Sequence, residues 1–115
     1  MSLKTFTDTN CIVTGAASGI GLELVRQLSL SNANLLLVDI EKEKLQELKL
    51  EFPNVSGLIN CDLSEKSGNE QILNWIKANW TRVDFCFANA GKAAYGPAEN
   101  QNWKDMDRLF QLNVH

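Results

Sequence analysis

The chain has 115 residues, 44% of them hydrophobic and 22% charged, with a formal net charge of −3. That length holds one domain with a single core, and the acidic balance argues against nucleic acid or an anionic membrane as partner, since both call for a basic face. The longest wholly aliphatic run, Leu35 to Val38, is far too short to cross a bilayer, and the first ten residues hold only isolated apolar positions, which predicts a cytoplasmic chain with no signal peptide.

Asn10 to Thr14 is apolar at its centre and predicts a short strand covered on both faces. It runs into Thr14-Gly15-Ala16-Ala17-Ser18-Gly19-Ile20-Gly21. A strand that stops at glycines and opens into a helix can set backbone N–H groups around a phosphate, with about half a positive charge from the helix end. One glycine allows the tight turn, one the close approach of a ligand, and one the packing of helix on strand. The helix is predicted from Gly19, with Ile20, Leu24 and Leu28 as its apolar stripe, Val25 beside them, and Ser31-Asn32 at its end.

Leu35 to Asp39 predicts the second strand and Glu41 to Phe52 the second helix, with Leu45, Leu48 and Phe52 on one side. Pro53 stops that helix, because the residue before proline is pushed out of helical geometry. Val55 to Cys61 predicts a third strand with Gly57 inside it, and Ser64 is the expected N-cap of a third helix. On that helix Ile72, Trp75, Ile76 and Asn79 share a face, with Leu73 adjoining. Arg82 to Ala88 predicts a fourth strand, ending at Asn89-Ala90-Gly91, and a last helix from near Asn102 carries Met106, Leu109, Phe110 and Asn113.

Strands alternating with helices predict an α/β fold, a Rossmann-type doubly wound parallel sheet of about four strands in the order 3-2-1-4. The whole of residues 1–115 reads as one dinucleotide-binding domain. Ligands of such sheets lie at the carboxyl ends of the strands, where the order reverses, here between strands 1 and 4. Strand 4 would be an edge, yet it is apolar on both faces, which predicts either further chain or burial in a homo-oligomer.

Asp39 stands eighteen positions beyond Gly21, at the end of strand 2. A carboxylate there can accept from both ribose hydroxyls of an adenosine and would repel the extra phosphate of NADP. Two unit charges ~4 Å apart cost about 4 kcal/mol at an effective dielectric of ~20, less where water screens them. With no Lys or Arg in the glycine loop, NAD is the expected cofactor and NADP the less favoured one. Cys11, Cys61 and Cys86 are spread apart in apolar surroundings, and the single histidine is His115, so buried thiols in a reducing compartment are expected, and no metal site.

Taken together, Thr14-Gly-x-x-x-Gly-Ile-Gly21, Asp39, Asp62-Leu63, Asn89-Ala90-Gly91 and Asn113-Val114 closely resemble the short-chain dehydrogenase/reductase family, from about Asn10 to His115. The resemblance implies hydride transfer between a nicotinamide and a small alcohol or carbonyl substrate. It implies that Thr14, Gly15, Ser18, Gly19, Ile20 and Gly21 lie along the cofactor and that Asp39 holds the adenine ribose. Asp62 and Leu63 would border the adenine, Asn89 would brace the central strands, and Ala90 and Gly91 would line the cleft. Asn113 matches the asparagine that supports a proton relay in the family's catalysis. The family's Ser and Tyr-x-x-x-Lys pair follow that asparagine and have no counterpart in these residues: four positions after Tyr95, the only tyrosine, stands Glu99. The chain therefore reads as the cofactor-binding half of an oxidoreductase and predicts little turnover by itself, the alternative being a non-catalytic dinucleotide-binding module or sensor. A methyltransferase using S-adenosylmethionine would also place glycines after strand 1 and a carboxylate after strand 2, but it leaves Asn89-Ala90-Gly91 and Asn113 unexplained.

Overall fold

Continuously apolar strands need cover on both faces, and the fold supplies it. The computed structural model describes residues 6–17 and 19–88. Along the chain run β1 (Asn10–Thr14), α1 (Gly19–Leu30), β2 (Asn34–Asp39), α2 (Lys42–Glu51), β3 (Val55–Asn60), α3 (Lys66–Asn79) and β4 (Phe85–Ala88). All pairings are parallel, in the order β3-β2-β1-β4. This is the Rossmann-type sheet expected from the alternation of elements. The last predicted helix lies outside the described residues.

Alternate residues of each strand feed two cores. On one face Ile12, Leu36, Val38, Ile59 and Cys86 pack with Ile72, Leu73 and Ile76 of α3. On the other, Cys11, Val13, Leu35, Leu37 and Phe85 pack with Val25 and Leu28 of α1 and Leu45 and Leu48 of α2. The predicted edge is indeed apolar on both sides: Cys86 belongs to the first core, Phe85 to the second. Phe6 sits edge-on to Phe85, with ring centroids 4.8 Å apart, and tilted against Phe87 at 5.9 Å.

At the N-terminal ends of the strands the polar groups close on one another. Asn10 N–H donates to Asp84 Oδ2 at 2.8 Å, Asp84 N–H donates to Asn10 O at 2.9 Å, and Asn10 Nδ2 donates to Arg82 O at 3.0 Å. Asn34 Nδ2 reaches Asn10 Oδ1 at 3.0 Å, which carries the network across to β2. These bonds satisfy backbone groups that the first residues of a strand would otherwise leave bare.

Several local expectations differ from what is seen. Ile20 is 71% exposed, and the buried stripe of α1 is Gly21, Val25 and Leu28. A step of four then three places those residues toward the sheet and carries Ile20 to the outer side of the first turn. Ser64 does not cap α3, which starts at Lys66 after Glu65. Its hydroxyl and its N–H both donate to Asp62 Oδ1, at 2.7 and 2.9 Å, so the side chain is used in a tighter turn before the helix. Asn79 is exposed, and Asn69 is buried on α3 instead. Trp75 is half-buried, its ring at 87° to that of Trp80 and 5.0 Å from it. β3 ends at Asn60, one residue before the expected boundary, and β4 begins at Phe85 rather than at Arg82.

Candidate functional site

Because every strand is parallel, Thr14, Asp39, Asn60 and Ala88 end on one edge of the sheet. There β2 lies to one side of β1 and β4 to the other, so the crevice of a doubly wound sheet opens beside β1.

The turn that leaves β1 is bent through two left-handed residues, Gly15 at φ 65° and Gly19 at φ 55°. A side chain at either would strain the backbone by roughly 1–2 kcal/mol. Between them the turn is tied to the neighbouring strand. Ala16 N–H donates to Val38 O at 3.3 Å, and Ala17 N–H donates to Asp39 Oδ2 at 3.0 Å. Thr14 is fully buried, with Oγ1 3.5 Å from Phe87 O of β4. A Cβ built on Gly19 would meet nothing within 4 Å among the described residues, so packing among them does not demand a glycine there. Gly21, by contrast, is buried in the first turn of α1.

Asp39 is only 7% exposed. A buried carboxylate is costly unless hydrogen bonds hold it, and here each oxygen has one. Oδ2 takes the Ala17 N–H, and Oδ1 takes the Glu41 N–H at 2.9 Å. Each carboxylate oxygen keeps a further acceptor position, enough to receive a pair of hydroxyls. The backbone around Asp39 is fastened as well. Cys61 N–H donates to Asp39 O at 3.2 Å, and Asn60 Nδ2 donates both to Asp39 O at 3.2 Å and to Ile40 O at 2.9 Å.

Sequence reasoning missed Asn60. Nothing in its neighbourhood marks it, because its partners follow from the pairing of Asp39 with Asn60 across β2 and β3.

Asp62 lies just past β3, and its two bonds from Ser64, the hydroxyl first and then the N–H, lower its carboxyl pKa below the usual range. Leu63 is buried in the core under α3, so its side chain is spent on packing and only its backbone is left for a ligand. Ser18, Asn89, Ala90, Gly91 and Asn113 lie outside the described residues.

The thiols have no part in this arrangement. Burial pushes Cys86 up to about 12 and Cys11 up to about 11. Burial, with Asp62 and Glu65 nearby, pushes half-buried Cys61 up to about 11. All three are protonated at neutral pH and are poor nucleophiles. Among the described residues no three His, Cys, Asp or Glu side chains are grouped to hold a metal ion. No helix among them is long and apolar enough to cross a membrane.

The arrangement is therefore a left-handed glycine turn at a helix start, joined through one N–H to a fixed carboxylate at the end of the next strand. It offers main-chain donors to a phosphate and acceptors to a diol, close together.

Known proteins resemble the chain over most of its length. The family model for short chain dehydrogenase matches residues 9–115. A fatty acyl-CoA reductase of Acinetobacter baylyi is 32% identical over 107 residues, which is 89% of this chain and 36% of that protein. An NAD-dependent glycerol dehydrogenase of Listeria innocua is 30% identical over 109 residues, 94% of this chain and 42% of that one. Among solved structures, L-sorbose reductase from Gluconobacter frateurii complexed with NADPH and L-sorbose superposes with a TM-score of 0.70 at 20% identity, over 95% of this chain and 45% of that chain. The chain thus spans less than half the length of these relatives.

Proposed function

The chain belongs to the short chain dehydrogenase family, and from that premise we propose that it is the dinucleotide-binding part of an NAD-preferring oxidoreductase acting on a small alcohol or carbonyl compound. The observation that carries the reading is the bond from Ala17 N–H to Asp39 Oδ2, which fixes a diol-accepting carboxylate against the glycine turn. The residues fit the cofactor. Gly15, Gly19 and the start of α1 would face the pyrophosphate, and Asp39 the adenine ribose. Asp62 and the Leu63 backbone would border the adenine. Ser18, Ile20, Asn89, Ala90 and Gly91 keep the roles implied by the family and Asn113 that of supporting the proton relay, while Thr14 and Gly21, both buried, would shape the turn along the cofactor rather than touch it. When bound, the nicotinamide supplies the hydride chemistry.

NAD is favoured over NADP by the buried carboxylate, which would face the added phosphate. The segment that opens α2 adds no net positive charge to offset this, since Lys42 and Lys44 stand beside Glu41 and Glu43, with Lys44 3.6 Å from Glu41. The NADPH and NAD named for the relatives show that both cofactors occur among such proteins. The apolar edge at β4 supports its burial by further polypeptide, of the same or a second copy, and the free thiols of Cys11, Cys61 and Cys86 support a reducing, cytoplasmic setting.

Gly19→Ala separates binding from folding. Its methyl group enters space that the described residues leave open, so the expected stability loss is only the left-handed strain of roughly 1–2 kcal/mol. Affinity for NADH, read by fluorescence titration, should fall at least tenfold, about 1.4 kcal/mol, because the methyl group and the strained turn stand where the backbone must approach a phosphate. Unchanged NADH affinity in a folded Gly19→Ala protein would count against the site.

A further inference from the structure

Asn60 is bonded to both carbonyls that flank residue 40, donating to Asp39 O at 3.2 Å and to Ile40 O at 2.9 Å. The second of these matters most. The Ile40 carbonyl and the Glu41 N–H are the two ends of a single peptide group, and that group is planar and rigid. Its carbonyl end is held by Asn60, and its N–H end donates to Asp39 Oδ1 at 2.9 Å. Rotating this peptide away from Asn60 would withdraw the N–H from the carboxylate. The other carboxylate oxygen is held independently by Ala17 N–H at 3.0 Å.

The side chain of Ile40 is 66% exposed, so packing does little to hold the peptide in place. Asn60 is itself on the surface, at the end of β3, and contributes nothing to either core. Its two bonds have one shared consequence, the setting of the segment that carries the carboxylate.

We infer that Asn60 is a positioning residue for adenosine recognition: through the peptide between residues 40 and 41 it fixes one oxygen of Asp39, and so it sets the discrimination between a ribose hydroxyl and a ribose phosphate. This rests on the proposed function of the site. The residue acts through Asp39 and need not touch the cofactor. Loosening it lets Oδ1 turn, which weakens a diol contact and at the same time lowers the repulsion of a phosphate. The two cofactors should therefore respond unequally.

The test uses the whole protein, with Asn60→Ala and Asn60→Asp compared with the unsubstituted form. Asn60→Asp keeps the shape but sets acceptor oxygens against two carbonyls. Affinities for NADH and NADPH are titrated separately, and melting is followed in parallel. The expected result is a loss of about two- to tenfold in NADH affinity in both variants, the range of one hydrogen bond, with a smaller change for NADPH in Asn60→Ala, whose NADH-to-NADPH ratio therefore falls; Asn60→Asp is read for NADH alone, because its added charge itself repels the phosphate of NADPH. A lower melting temperature with an unchanged ratio would mean a purely structural residue and would overturn the inference alone. If the unsubstituted protein binds neither cofactor, the reading of the site falls, and this inference with it.

Discussion

Asp39→Asn is expected to lower stability by about 2–3 kcal/mol and to remove most of the preference for NADH over NADPH. The stability loss follows from the two donors that face the carboxylate. Ala17 N–H and Glu41 N–H lie 3.0 and 2.9 Å from its two oxygens. An amide has one oxygen and one NH2, so in either orientation a donor meets a donor. A hydrogen bond to a charged group contributes roughly 1.5–3 kcal/mol, and an unsatisfied buried donor adds a comparable cost.

The cofactor effect has a second cause. Removing the charge removes the repulsion of a ribose phosphate, bounded at about 4 kcal/mol for charges ~4 Å apart at a dielectric of ~20. NADH should weaken and NADPH should strengthen relative to it, so the ratio falls more than tenfold. Chemical denaturation with paired cofactor titrations checks both halves. An Asp39→Asn protein with unchanged stability and an unchanged ratio would show that the carboxylate does neither job.

The second large effect is expected at Gly57→Val. Gly57 pairs with Leu36 in the sheet, and the indole of Trp75 lies across it. A Cβ built there would fall inside the ring's contact distance, 2.7 Å from Nε1 and nearer still to the ring carbons. Moving the ring would disturb its edge-on contact with Trp80. Overpacking of this kind costs about 1–3 kcal/mol and occasionally more. The body of a tryptophan has little room to yield, so the upper end, ~3 kcal/mol, is expected. The denaturant midpoint should fall with little change in slope. In a Trp75→Leu background the same substitution should cost much less, because the two residues touch and their effects are not additive. An equal cost in both backgrounds would place the strain elsewhere.

Much of the fold was legible because its signals are local or periodic. β1 spans Asn10 to Thr14 as its apolar centre predicts, and continuous apolar strands alternating with helices imply the parallel sheet and its order. Pro53 fixed the end of α2 through the geometry of the residue before it. Asp39 was marked by its distance from the glycine turn.

Other features depend on contacts that no pattern shows. Ser64 has the chemistry of a cap, but Asp62 is closer to it than the helix end and takes its hydroxyl. Ile20 is apolar at a helical spacing, yet it lies on the outer side of the turn at the edge of the sheet. Asn60 is a lone polar residue at a strand end, and only the β2–β3 register brings it to the backbone of Asp39. The sequence also shows Asp39 only as a side chain open to a ligand, whereas the fold has it already holding two main-chain donors. On the proposed reading the same carboxylate serves the ligand and the fold, which is why its substitution is expected to change both.

The most direct test of the account is an amide chemical-shift titration of the isotopically labelled protein with NADH. Ala17, Gly19 and Glu41, the amides of the glycine turn and of the clasp on Asp39, should shift together and saturate with one affinity. Those of Asn10 and Asp84, at the opposite end of the sheet, should stay in place. Shifts confined to the Asn10–Asp84 end, or none at saturating NADH, would contradict the assignment of this edge as the dinucleotide site.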